Sequence, residues 1–208
     1  MTWEIYTLYL ALIAAFFATP PDTSQLLIMT NSIQHGMKRS VLTIFGDLSA
    51  NALQMTAAAF GLAAIIATSA TAFQVIKWAG VLYLLWIGIQ LFLSSSKDAQ
   101  TGKATKRSSF ALFRQGFVTS SANPYAIIFF ASLFPQFIDP SQATLPQLMI
   151  LGGTYLVVDG IILLLWGWFA VRAVQRIKQL TSGIINKACG LLMIGAAVLL
   201  AVKGLDRS

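Results

Sequence analysis

The sequence predicts an all-α membrane protein of six transmembrane helices, arranged as two inverted three-helix repeats, with helices one and four broken near the membrane midplane. Three observations predict it. Hydrophobic residues make up 57% of the chain and charged residues only 10%, where a soluble domain carries about 25% charged residues. Six mostly apolar stretches of spanning length follow one another. Two short proline-containing segments, Ala18 to Thr23 and Ala122 to Tyr125, interrupt two of these stretches near their middles and lie about half a chain apart. Paired breaks of this kind mark binding sites built between membrane repeats.

Span one runs from Ile5 to Met29. Glu4 stands where a secretory signal carries Lys or Arg, and no small-residue cleavage site follows a short apolar core, so the stretch reads as a retained span. Pro20 and Pro21 end its first segment, and Asp22, Thr23, Ser24 and Gln25 have the spacing of a capping box that starts a second one. Span two, Val41 to Thr68, belongs to a stripe of Ser40, Thr43, Asp47, Asn51 and Gln54, whose steps of three or four residues put all five on one helical face. Lipid does not solvate such a face. Span three, Phe73 to Leu93, begins with Lys77-Trp78-Ala79-Gly80-Val81-Leu82.

Span four, Phe110 to Phe137, contains the second break. Asn123 is suited to cap a helix and Pro124 to fill its first position, so a new half-helix begins there. Span five, Leu145 to Val171, carries Asp159 in its middle, as span two carries Asp47. Span six, Gly183 to Val202, holds Lys187-Ala188-Cys189-Gly190-Leu191-Leu192, which resembles the start of span three. The paired prolines, the paired aspartates and this short match occur in the same order at similar offsets. They divide a single transporter domain, residues 1–208, into repeat one (about 1–94), a polar loop (about 95–109) and repeat two (about 110–208). An odd number of spans on each side of the loop gives the repeats opposite orientation in the membrane.

Charge sets the orientation. The loops after spans one, three and five carry Lys38, Arg39, Lys97, Lys103, Lys106, Arg107, Arg114, Arg172, Arg176 and Lys178, whereas the opposite side has Lys77, Lys203 and Arg207. The positive-inside rule therefore puts the polar loop from Ser94 to Ser109 in the cytoplasm and both termini outside. The net charge of +7 is spread over three loops that hold topology and touch anionic headgroups. No aromatic-basic stripe accompanies it, which argues against a nucleic-acid partner.

The breaks fall at depth. At 1.5 Å per residue, Ile5 lies about 22 Å from the first break and Phe110 about 20 Å from the second, so both new half-helices start roughly midway through a 30 Å core. Free N–H groups and the positive ends of two helix dipoles would converge there, a place suited to a carboxylate. Asp47 and Asp159 are also deep, and no Lys or Arg sits at similar depth to pair with them. A charged carboxyl in that position is costly, so it exchanges a proton or cation for something else, which is the requirement of proton-coupled transport. The bland counterparts are a kinked packed span, an Asp that only bonds helix to helix, and an Asp22 that only caps.

Other residues point away from catalysis. Cys189 is the only cysteine, so no disulfide, redox pair or thiolate metal cluster forms within the chain, and no cofactor is implied. His35 beside Gly36 and Lys38 reads as a solvated or headgroup-facing residue, and no deep His is present to activate a serine. Glycines such as Gly152, Gly153, Gly160 and Gly190 read as close-packing positions. Trp3, Tyr6 and Trp78 read as interface anchors.

The order of Thr-Pro-Pro-Asp in span one, His35-Gly36, Lys77-Trp78-Ala79-Gly80 with Tyr83-Leu84 and Gly88-Ile89, Asn123-Pro124, Leu133-Phe134-Pro135-Gln136-Phe137 and Asp159 resembles the lysine exporter family, in its homoserine/threonine-resistance branch. The resemblance covers nearly the whole chain. It implies a bacterial inner-membrane exporter of amino acids or their derivatives, driven by proton entry, with a homodimer among the assemblies open to it. On that reading Pro21, Asp22, Thr23, Gln25, Asn51, Gln54, Asn123 and Pro124 contact the substrate, while Asp47 and Asp159 handle protons or the substrate ammonium. One departure stands out. The family carries Pro-Gly-Pro in span one, where counting back from His35-Gly36 gives Pro21, Asp22 and Thr23. A carboxylate in place of the glycine would repel a substrate carboxylate and favour an amino group or a cationic solute. Export of a cation held by oxygen ligands is the alternative reading of the three membrane acids.

Overall fold

The computed structural model describes residues 3–17, 21–60, 69–93, 107–139, 141–176 and 182–202. Pro20, the end of span two and most of the cytoplasmic loop, including Lys97, Lys103 and Lys106, lie outside the described residues, as do Lys178, Lys203 and Arg207. All regular structure among the described residues is helical: α1 (Trp3–Phe17), α2 (Thr23–His35), α3 (Met37–Ala59), α4 (Ala70–Leu93), α5 (Ser109–Ser121), α6 (Pro124–Phe137), α7 (Thr144–Arg176) and α8 (Ser182–Val202). Spans one and four are each divided into two helices, with the divisions at the expected residues.

The capping box forms as the sequence predicts. Asp22 has extended backbone angles, its side chain accepts from the Gln25 backbone N–H at 3.0 Å, and its own N–H donates to Gln25 Oε1 at 3.3 Å. At the other end of α2 only Gly36 separates it from α3. Its φ of 80° lies on the side of the map that glycine visits without a steric penalty. The Gly36 N–H still donates to the Ser32 carbonyl, and its carbonyl accepts from Ser40, so the turn leaves little backbone unpaired.

Two close helix crossings organise the rest. A Cβ on Gly46 of α3 would run into the Phe113 carbonyl of α5, and one on Gly116 of α5 into the Thr43 carbonyl of α3. The backbones therefore touch directly, the way small residues let membrane helices pack where lipid supplies no hydrophobic drive. Gly88 of α4 and Gly190 of α8 form the second pair: a Cβ on Gly190 would sit 2.8 Å from the Gly88 carbonyl. Gly190 thus fits its expected role, whereas Gly153 faces open space and Gly152 and Gly160 make only ordinary contacts.

An aromatic core joins α1, α3, α6 and α7. Tyr9, Ile13, Met55, Phe130, Phe134, Leu151 and Tyr155 are buried together, and the Tyr9 hydroxyl donates to the Leu151 carbonyl at 2.8 Å. Tyr6 is hydrogen bonded to Thr154 at 2.9 Å, so it ties α1 to α7 as well as lying near a helix end. A second cluster packs Leu27 of α2 against Val81, Leu84 and Ile87 of α4 and Met193 of α8. Outward faces are apolar too: Val157, Ile161, Leu165, Trp168 and Phe169 of α7 are all exposed, as expected of a membrane protein. By length and composition, Thr144–Arg176 is the one helix among the described residues that is long and apolar enough to cross a membrane alone. Its 33 residues include a window of mean hydropathy 2.2.

The basic end of the molecule corrects one expectation. Arg39 donates to the Arg107 carbonyl, and Arg107 donates to Gln90 Oε1 at 3.2 Å, which brings the α2–α3 turn, the end of α4 and the approach to α5 together. His35 is half-buried beside them, not solvated, and its Nε2 is buried without a hydrogen-bond partner. Burial, then the positive charges of Arg107 and Arg39, push its pKa down to about 4. The sequence shows His35 beside Lys38 in a loop; it does not show that Arg39 is bonded to the Arg107 backbone there.

Candidate functional site

The two helix breaks meet. Asn123, immediately before α6, donates from Nδ2 to Asp22 Oδ2 at 3.2 Å, while the other oxygen of Asp22 caps α2. Asn123 is buried, although Asn123 and Asp22 lie about half the chain apart. Each break exposes backbone groups by ending one helix and starting another; Asp22, which caps α2, is bonded to Asn123, the residue just before α6.

A polar cluster lies next to this contact. Ser24, on the first turn of α2, donates its hydroxyl to Asp47 Oδ1. Asn51, one turn beyond Asp47 on α3, donates from Nδ2 to Asp47 Oδ2 at 3.1 Å and to Asp159 Oδ2 of α7 at 2.8 Å. Its carbonyl oxygen accepts from the Ser120 hydroxyl of α5 at 2.8 Å. One amide therefore links the two mid-span aspartates and fixes its own orientation through a third helix. Asp47, Asn51 and Asp159 are all buried, and partnered amides and hydroxyls lower the cost of keeping polar groups there.

These residues line a cavity. Asp22, Asp47 and Asp159 line it with Ser24, Gln25 and Asn123, and the apolar side chains of Phe16, Phe17 and Leu163 and the Tyr155 ring line it too. No basic residue is among the described residues lining it. The cavity volume is only about 20 Å³. That is room for a water or two, so anything as large as an amino acid enters only when the walls part.

Of the residues singled out from the sequence, Asp22, Gln25, Asp47, Asn51, Asn123 and Asp159 converge on this cavity. Thr23 opens α2 and Pro124 opens α6, with Pro21 just ahead of the cap. Gln54 is turned elsewhere: its Nε2 donates to the Ser120 carbonyl at 3.0 Å, where α5 ends. Ser24, Ser120 and Tyr155 are the functional candidates that sequence reasoning missed. Tyr155 precedes Asp159 by one helical turn and so shares its face, a signal that was available. Ser120 carries none, because its role depends on how α5 crosses α3.

The polar interior continues toward the Gly36 end of α2 and α3. Asn31 donates to Thr43 Oγ1 at 2.9 Å and to Gln115 Oε1 at 3.1 Å, joining α2, α3 and α5. Among the described residues, no three His, Cys, Asp or Glu side chains are grouped so as to hold a metal ion.

Comparison with known proteins gives a consistent result. Residues 15–204 match the family model described as LysE type translocator. The chain is 34% identical over 204 residues to a homoserine/homoserine lactone efflux protein of Salmonella typhimurium, covering 97% of this chain and 98% of that protein. It is 32% identical over 195 residues to a leucine efflux protein of Enterobacter sp. strain 638, covering 90% of this chain and 91% of that protein. An uncharacterized membrane protein of Vibrio cholerae is 33% identical over 205 residues. No solved structure matches the chain.

Proposed function

Because this chain belongs to the family of LysE type translocators, we propose that it exports amino acids, or closely related small zwitterionic metabolites, across the bacterial inner membrane in exchange for protons. The observation that carries the reading is the Asn51 amide, which joins Asp47 to Asp159 on the wall of a cavity where two broken helices meet.

The chemistry follows from competition for the same oxygens. A substrate ammonium and a proton both neutralise a buried carboxylate, and both at once leave an excess of positive charge. At cytoplasmic pH the aspartates are open to an ammonium; on the more acidic outer side a proton displaces it. Opening to one side at a time turns this exchange into outward transport of solute against inward movement of protons. The rings of Phe16, Phe17 and Tyr155, which line the cavity, accept an apolar solute side chain.

The six-span arrangement as two inverted repeats about residues 1–94 and 110–208, with both termini outside, is part of the same proposal. It is supported by the paired breaks, the paired aspartates and the gathering of Arg39 and Arg107 at one end. The exposed apolar face of α7 would contact lipid, or a second copy in a homodimer. Transport of a cation is the second reading: three carboxylates line the cavity, although among the described residues no three acidic, His or Cys side chains are grouped to hold a metal ion.

Purified protein in proteoliposomes loaded with mixed amino acids, subjected to an inward proton gradient and assayed by mass spectrometry, tests the proposal. Loss of one or a few amino acids supports it. Retention of all of them, with loss of a trapped inorganic cation instead, supports the second reading.

A further inference from the structure

Asp22 stands at the point where a substrate carboxylate would be expected. Two midplane helix starts offer backbone donors to an anion, but at α2 the donor is already used: the Gln25 N–H is bonded to Asp22 Oδ1. The second break contributes its side chain to the same group, since Asn123 Nδ2 donates to Asp22 Oδ2. Both oxygens of Asp22 are thus engaged as acceptors, one by each break, and the residue itself lines the cavity. A solute carboxylate arriving there would lose these donors to the protein and face Asp22, Asp47 and Asp159 with no basic side chain among the described lining residues to offset them. An ammonium group meets the opposite situation, with carboxylate and amide oxygens and aromatic rings lining the same cavity.

We propose that Asp22 is the specificity-determining residue of this cavity, acting as a built-in carboxylate that makes the protein prefer solutes with a primary ammonium and a blocked or absent carboxyl group, such as amino-acid amides, esters and simple amines, over free amino acids. This rests on the reading of the cavity as the solute site. It narrows that reading: among amino acids and their close derivatives, the cavity recognises the ammonium end and penalises a free carboxylate, so free amino acids are the weaker solutes. Removing the carboxylate frees the α2 N-terminus and Asn123 for a solute carboxylate, so the preference reverses.

The test is binding of leucine and leucinamide to the purified full-length protein at neutral pH, by isothermal titration calorimetry. The wild type should bind leucinamide at least about tenfold more tightly than leucine. Asp22→Gly should reverse the order, and Asp22→Asn, which keeps a good helix cap while removing the charge, should narrow the gap even if the glycine variant fails to fold. A wild type that binds leucine as tightly as leucinamide overturns the proposal, and so does an unchanged ratio in Asp22→Asn. If the folded wild type binds neither compound but does bind an inorganic cation, the amino-acid reading of the cavity fails, and this proposal fails with it.

Discussion

Asn51 on α3 donates to Asp159 on α7 across 2.8 Å, and with the same nitrogen donates to Asp47 on its own helix. A single side chain therefore senses two carboxylates, and a change in charge at one reaches the other through a hydrogen bond as well as through space. Asn51→Ala should lower proton-driven efflux from proteoliposomes by about tenfold or more, since truncating one partner in a buried network leaves the others unsatisfied. An efflux rate within twofold of wild type would show that the link is structural only.

Asp159→Asn retains the shape and the hydrogen bond to α3 but removes the ionisable group. Efflux driven by a pH gradient should be abolished, while the variant should elute as a monodisperse species on gel filtration. Transport that continues undiminished would mean that Asp159 carries no proton.

The crossing of α3 and α5 gives a stability prediction. Gly46→Ala places a methyl group against the Phe113 carbonyl, and forced overpacking of this kind costs about 1–3 kcal/mol or more. Its thermal unfolding midpoint in detergent should fall by several degrees, whereas Gly153→Ala, where nothing lies within 4 Å, should match wild type. Equal midpoints for the two variants would contradict the backbone contact.

His35 sets a pH dependence. Its pKa in the fold is about 4 against an ordinary value of 6.5, so the unfolded chain takes up a proton that the folded chain refuses. The resulting stability is fully present above pH 6.5 and is lost as pH falls from 6.5 toward 4. Comparing thermal midpoints of wild type and His35→Gln across that range should show a steeper acid decline in the wild type. Parallel curves would mean that His35 is solvated after all.

Much of this arrangement was legible from local rules. The capping box at Asp22 and Gln25 depends only on spacing, and the Ser40–Thr43–Asp47–Asn51 stripe only on helical periodicity, so both appear in the fold where the sequence puts them. The bond between Asp22 and Asn123, the Asn51 bridge and the bond of Arg39 to the Arg107 carbonyl were not legible. Each joins elements far apart in sequence, and the register of such contacts is set by close crossings such as Gly46 with Gly116. Gln54 shows the cost of periodicity alone: it belongs to the stripe, yet its side chain serves the end of α5.

The single-residue turn at Gly36 has a mechanical consequence. With one residue between them, α2 and α3 have no slack, and α2 behaves as a stiff lever about 20 Å long whose fulcrum is Gly36 and whose far end bears the Asp22 cap. That far end is held at two neighbouring points, by Asn123 at the Asp22 cap and by the bond from Ser24 to Asp47. The meeting of the two breaks and the carboxylate on α3 are thus tied to the same first turn of one stiff helix.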